Sequence, residues 1–498
     1  MEQFLYKRLE KKEPKINLWF CYPAIESFAL ASLGYLTIFK DFDLNPDLFV
    51  ERVYVDSKNT IIPPNNVDCV GFSISFELDI LSVIKMLKKY NIPLKSIDRK
   101  EQDPIVFAGG PVLMSNPIIF QEFFDFIAVG EKTCLKPCFE ILKNKNSLSR
   151  KEILNKLSAI EGIYVPGYNK EVRIARDNLK DEIIYTPILS DKSFFNNTFI
   201  IELERGCPKL CNFCLASWLN FPTRFVDYEK IIEAIDFGLC YTNKIALLGA
   251  YVAGHPDFKK IIEYISSKEN IELSISSLRA DLADIDLIKT LVKCKQKTAT
   301  IALEAGSQRL RDLIKKDLTK DQILSCIDSI QKGGLKGVKI YTMIGLPSET
   351  QDDITSLVEL IKEIKDQTKK NKTPFDITVS TSSFIPKIHT PFENFKRVEK
   401  SILKKRLEYL KKNFHKLGVN FRPSSLDWDE IQTFLSTTKA PLADFLLEVL
   451  DKGGNLGAYK QTLRKHEFIE SDYTIIDSGT KELKEKRITE FRENSLYL

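Results

Sequence analysis

The chain has 498 residues, of which 43% are hydrophobic and 28% charged, and 73 basic residues stand against 68 acidic ones. That length exceeds one ordinary core and implies two or three domains, while the near-neutral balance gives no positive reason to expect nucleic acid as a partner. The opening "MEQFLYKRLEKKEPKINLWF" lacks the apolar stretch of a signal peptide, and no apolar run reaches the roughly 18 residues of a membrane span, so a cytoplasmic protein is expected.

Residues 1–145 alternate apolar runs with helical patterns. "INLWFCYP", "VDCVGFSIS", "PIVFAGG" and "FFDFIAVG" read as strands, "SFALASLGYLTIF" and "LDILSVIKMLKKY" as helices. Continuous apolar strands with intervening helices predict a parallel, doubly wound, Rossmann-like sheet whose ligands sit beyond the carboxyl ends of its strands. The loops there are "CYPAIES", "SISFELD" and "AGGPVLMSNP". Residues 146–193 read as a polar connector with a small hairpin. Over 194–397 a second alternation supplies the strands "TFIIEL", "KIALLGA", "IELSISS", "TATIALEAG", "GVKIYTMIGLP" and "DITVSTSSFIP", which predict a partial (β/α)6 barrel. Residues 398–498 read as helices only, with a highly charged tail, about the last twenty residues, expected to fray.

Ten cysteines are too few for a disulfide scaffold, and seven of them lie scattered in apolar or helical surroundings that suit buried thiols. The other three form "CPKLCNFC", residues 207–214, directly after the first barrel strand. A structural zinc site needs four ligands, and Cys240 and His255 are far along the chain without pair spacing. A thioredoxin-like CxxC has no place for a third cysteine. An iron–sulfur cubane held by three thiolates leaves one iron open to another ligand.

The triplet Cys207, Cys211 and Cys214, with Phe213 before the last cysteine, resembles the radical S-adenosylmethionine (SAM) superfamily. The resemblance implies a four-iron four-sulfur cluster whose open iron chelates SAM, and reductive cleavage of the sulfonium to a 5′-deoxyadenosyl radical that takes hydrogen from a substrate. It implies an external electron donor of the flavodoxin or ferredoxin type. By the same resemblance Phe213 packs near the adenine, and Gly249 and Ala250 in "LLGAY" stand where relatives grip the methionyl amino group, although the usual glutamate is absent. Arg279 in "SISSLRADL" would face the methionyl carboxylate, and Glu304 in "IALEAGSQRL" the ribose or the reaction chamber. Ile344 and Gly345 in "MIGLPSET" would meet the adenine, and Lys387 and His389 in "FIPKIHTPFEN" the substrate side. As structural alternatives, Arg279 suits a surface ion pair and Glu304 a helix start.

A doubly wound domain ahead of such a barrel resembles the cobalamin-binding class of the superfamily. Ser73 and Ser75 match its serine-containing loop and Gly109 and Gly110 its glycine pair. The DxHxxG loop is missing, so no imidazole follows the first strand. Three readings stay open: cobalamin-dependent methylation of an unreactive carbon, hydrogen abstraction with the first domain as scaffold or substrate clamp, and non-catalytic electron transfer or sensing. RNA methylthiotransferases of the same superfamily carry a second cysteine triplet in the N-terminal domain, which Cys21, Cys69, Cys134 and Cys138 do not reproduce.

Overall fold

The computed structural model describes residues 2–371, 373–471, 474–476 and 480–494. Two compact units emerge, the first from residues 1–178, 184–197 and 434–478, the second from 179–183, 198–433 and 479–498.

The first unit is built on strands β1 (Ile16–Tyr22), β2 (Leu48–Tyr54), β3 (Cys69–Ser73), β4 (Ile105–Gly109), β5 (Phe126–Ala128) and β6 (Ile163–Tyr164), in the spatial order β2-β1-β3-β4-β5-β6. The first five are mutually parallel and β6 is an antiparallel edge. This is a doubly wound order whose winding reverses between β1 and β3, so the crevice lies beyond Tyr22 and Ser73. β1 is buried on both faces from Leu18 to Tyr22, and the rings of Phe107 and Phe126 stack at 4.9 Å and 3°. Gly71 leaves room for that stack: a Cβ on it would meet Phe107 Cζ at 2.3 Å.

The four expected strands are β1, β3, β4 and β5. Sequence reading overlooked β2 because Glu51 and Arg52 interrupt its apolar run. Both side chains find partners: Glu51 accepts the Ile61 and Ile62 N–H groups at 2.6 and 2.8 Å, and Arg52 pairs with Glu2 and lies 4.7 Å over the Phe39 ring. Residues 434–478 complete this unit through helix Ala443–Asp451, whose Phe445 and Leu446 are fully buried. The Ser436 hydroxyl donates to Glu77 at 2.9 Å, and the Leu442 N–H to the Ile119 carbonyl at 3.1 Å.

The second unit carries parallel strands β7 (Phe199–Glu202), β8 (Lys244–Leu248) and β9 (Glu272–Ile275), then β10 (Thr298–Glu304), β11 (Gly337–Ile344), β12 (Asp376–Ser383) and β13 (Asn420–Pro423). A single parallel bridge, Leu278 to Ile301, joins the two runs. The six predicted barrel strands are all present. β13 was not expected, since only helices were read beyond 398; it pairs along β12 from Asn420 to Pro423. Within the charged tail, where frayed chain was expected, residues 481–494 form a helix, and the last four residues lie outside the described ones. Helix Lys481–Asn494 inserts Phe491, 1% exposed, against Phe392 and Phe395 at 4.8 and 5.2 Å between centroids.

Candidate active site

The cysteine loop begins where β7 ends. Glu204–Arg205 pairs antiparallel with Arg224–Phe225 and closes the loop at its base. Gly206 sits there at φ +84°, and a Cβ on it would lie 2.7 Å from the Asn220 carbonyl oxygen, so a side chain is excluded by both conformation and space. Asn212, fully buried, donates its side-chain amide to the Leu313 carbonyl at 2.9 Å and its backbone N–H to Ile314 at 3.0 Å. Trp218 Nε1 donates to the Cys211 carbonyl at 2.9 Å. These bonds fix the backbone, and all three thiols line one cavity of about 170 Å³ together with Phe213. Phe213 also packs on the apolar cluster that includes Leu313, Phe384 and Phe491.

The turn after β8 adds Ala250 and Tyr251 to the wall, and later segments add Arg279, Glu304 and Lys316. Glu304 ends β10 at a register shift with φ +65°; such irregularities re-aim a side chain. Its carboxylate accepts from Lys316 Nζ at 2.9 Å, with the two side chains 12% and 10% exposed. Lys316 lies between two left-handed residues, Lys315 and Asp317. Arg311, 1% exposed, braces that segment by donating to the carbonyls of Leu318, Ala305 and Gly306 at 2.8, 3.0 and 2.7 Å. Arg279 donates to the Lys316 and Asp317 carbonyls at 2.8 and 3.0 Å, and its Nε is 2.8 Å from Asp281.

Burial pushes the Cys211 thiol up to about 12 and raises that of Cys207, while Lys316 and Arg279 pull the other way. Burial alone would lower the Lys316 ammonium; Glu304 and then Cys211 more than offset this, and it is raised. The positive charge at the cavity thus opposes the rise of the thiols without reversing it.

The remaining expected residues are distributed as follows. Gly249 does not line the cavity: the Glu204 carboxyl occupies the place a Cβ would take, with Oε1 at 2.0 Å. Ile344 is buried, and the Gly345 N–H donates to Glu349 at 2.6 Å. His389, at φ +73°, is half-buried and donates its backbone N–H to Glu393 at 2.8 Å. None of these three, nor Lys387, lines the cavity. In the first unit Ser73 ends β3, Ser75 Oγ is 3.5 Å from the Tyr22 hydroxyl, and Gly109 ends β4. Gly110, φ +114°, approaches the backbone of Ile74, where a Cβ would lie 2.4 Å from its oxygen.

Six of the seven scattered cysteines are buried, but Cys240 is exposed. His255 holds the Val226 carbonyl at 2.9 Å and does not line the cavity. Sequence reading missed Lys316 and Glu204, since neither belongs to a contiguous pattern of chemical residues. Glu204, 2% exposed, accepts the Tyr251 N–H at 2.6 Å through Oε1. Its Oε2 is buried without a hydrogen-bond partner, and burial raises the carboxyl to about 8.

Residues 34–166 match the family model "Radical SAM proteins, N-terminal", and residues 201–361 match "Radical SAM superfamily". A Methanocaldococcus jannaschii protein designated MJ0966 is 32% identical over 410 residues, covering 80% of this chain and 84% of its own length. A tRNA-2-methylthio-N(6)-dimethylallyladenosine synthase of Fusobacterium nucleatum is 26% identical over 183 residues, 34% of this chain and 42% of that protein, so the match spans less than half of the synthase. The cobalamin-dependent SAM radical enzyme OxsB, solved with aqua-cobalamin and SAM, shares the fold at a TM-score of 0.56 and 15% identity over 95% of this chain and 66% of its own. No described helix is long and apolar enough to cross a membrane. With two family models over most of both units and a relative aligned along four-fifths of its length, the chain belongs to the radical SAM superfamily.

Proposed function

We propose that the chain is a radical SAM enzyme in which Cys207, Cys211 and Cys214 hold the four-iron four-sulfur cluster and SAM occupies the cavity they line. The observation that carries this reading is the convergence of three unpaired thiols with Lys316 and Arg279 on one cavity. The cluster, with SAM and an external one-electron donor of the flavodoxin or ferredoxin type, supplies a 5′-deoxyadenosyl radical for hydrogen abstraction. The protein's part is electrostatic and positional. Lys316 and Arg279 favour ionised thiols and offer positive charge to the methionyl carboxylate. Asn212 and Trp218 hold the loop from behind, and Phe213 offers an aromatic face to the adenine. Glu304, held by Lys316, is the acceptor offered to the ribose. His389 and Lys387, beyond this cavity, belong to the substrate side, and Ile344 and Gly345 to the backbone beside the adenine.

For the first unit we favour cobalamin, bound at the crevice beyond β1 and β3 and leading to methylation of an unreactive carbon. The doubly wound order and the OxsB-like fold support this. The residues present fit in part: Ser73, Ser75, Gly109 and Gly110 stand at the strand ends on the β3 side, while residues 23–31, which follow β1, include no histidine to offer the cobalt. A scaffold role without corrinoid is the second reading, favoured by Gly110, whose contact with Ile74 already accounts for the glycine.

Anaerobic reconstitution with SAM, a strong reductant and candidate substrates tests the core reading. We expect 5′-deoxyadenosine from the parent and none from Cys211→Ala. If none forms and SAM leaves the cluster's paramagnetic resonance unchanged, the reading is wrong. A stoichiometric corrinoid absorption after hydroxocobalamin loading separates the two roles of the first unit.

A further inference from the structure

Strand β13 widens the sheet face on which the thiol cavity lies. Residues paired in register along a parallel ladder share a face, and every second residue of a strand returns to it. Ala302, which lines the cavity, is paired with Tyr341, Tyr341 with Ser380, and Ser380 with Arg422. The residues just before the first three, Ile301, Ile340 and Val379, point the opposite way and are fully buried. The Ala302 face is instead polar and open: Tyr341 is 40% exposed, Arg422 is exposed and Ser380 half-buried.

Ser380 is a small side chain between two long ones, so Tyr341 and Arg422 wall a notch that it floors. Lys339 stands beside this notch and donates to the Tyr341 hydroxyl at 2.7 Å, which leaves the phenolic hydrogen to be donated elsewhere. Neither Lys339 nor Arg422 pairs with a carboxylate among the described residues. Of the acids on this face, Glu304 is held by Lys316, and Asp376 stands at the foot of β12, in register with Gly337. Two uncompensated cations and two hydroxyls call for a group with about two negative charges and several acceptor oxygens. A phosphate monoester carries a charge of about −1.5 to −2 at pH 7 and three such oxygens; a carboxylate brings about half that charge.

We infer that the Tyr341–Ser380–Arg422 notch binds a phosphate monoester of the substrate, so that this enzyme acts on a polar, phosphorylated molecule. The inference rests on radical chemistry at the thiol cavity. Strands lie about 4.8 Å apart, which puts Ser380 two spacings, about 10 Å, from Ala302 at the cavity wall; the phosphate sits at about that distance from the cavity. Arg422 offers paired N–H donors to it, and Tyr341 a hydroxyl polarised by Lys339.

The test uses the full-length, cluster-loaded protein, inorganic phosphate as probe followed by phosphorus-31 resonance, and acetate as competitor. The parent should bind phosphate saturably, with acetate displacing it only at about tenfold higher concentration or more. Reducing the cluster should broaden the bound signal, because an unpaired spin then lies nearby. Arg422→Gln and Tyr341→Phe should each weaken phosphate about tenfold, the size of one charge-assisted contact. Arg422→Lys should recover part of the loss, since it keeps the charge without the paired donors. Binding unchanged in Arg422→Gln, acetate competing on equal terms, or a bound signal indifferent to cluster reduction overturns the inference. Should Arg422→Gln not fold, competition and broadening in the parent decide alone. If the protein forms 5′-deoxyadenosine but binds no phosphate, the notch alone falls. If phosphate binds as described and SAM is never cleaved, the radical reading falls and takes the substrate role with it.

Discussion

Replacing Lys316 by Met tests whether the cavity's electrostatics follow from one buried ion pair. Lys316 Nζ and Glu304 Oε1 are 2.9 Å apart, with side chains 10% and 12% exposed. Removing one partner of such a pair strands the other charge, which costs about 3–5 kcal/mol; with this slight exposure we expect about 3 kcal/mol. For a body of this size that is a fall in Tm of roughly 6–12 °C in the cluster-free, reduced protein, followed by circular dichroism. The double variant Lys316→Met/Glu304→Gln should recover most of the loss, since neither charge is left alone. Lys316 also opposes the rise of the Cys211 thiol, so both variants should take up less iron and sulfide on reconstitution. A single variant melting with the parent, or a double variant as unstable as the single, would refute the reasoning.

Phe491→Ala removes the one buried side chain among the described residues of helix Lys481–Asn494. A helix that short does not persist unaided, so residues 481–494 should lose hydrogen-exchange protection while β10–β12 keep theirs; unchanged protection would contradict the packing. Gly71→Ala drives a methyl into the Phe107 ring, itself stacked on Phe126, and should cost about 1–3 kcal/mol in denaturant unfolding. A parent-like midpoint would show that the ring yields. Glu204 gives a pH dependence of reversed sign from an ordinary carboxylate. Its folded value is raised from 4.5 to about 8, so between these limits the unfolded chain has shed a proton that the folded one keeps. The empty protein should lose up to about 1.4 kcal/mol per pH unit from this group across that window. Denaturant unfolding at pH 5.5 and 7.5 should show a smaller difference in Glu204→Gln, and equal differences would rule the effect out.

The cysteine centre was legible because its three thiols are contiguous, and contiguity survives in a string. Lys316 and Glu204 were not, because each comes from a separate turn that touches the cavity only after folding. Lys316 sits in "LIKKDLT", where nothing marks one lysine from its neighbour; the left-handed backbone on either side makes the difference. β2 was lost to Glu51 and Arg52, whose partners lie elsewhere in the chain. The tail was misread because Phe491 is a lone ring among charges, and amphipathic patterning needs more than one residue to register.

The first unit draws on residues 434–478, which the ribosome makes after the whole barrel sequence. At about 5–20 residues per second, segment Ile118–Phe123 waits on the order of tens of seconds for helix Ala443–Asp451 to pack on it. The surface that Phe445 and Leu446 bury stays open throughout that interval. Dissection meets the same obstacle: a cut near residue 198 yields an N-terminal piece lacking part of its own core, and the segment that would complete it remains attached to the other fragment.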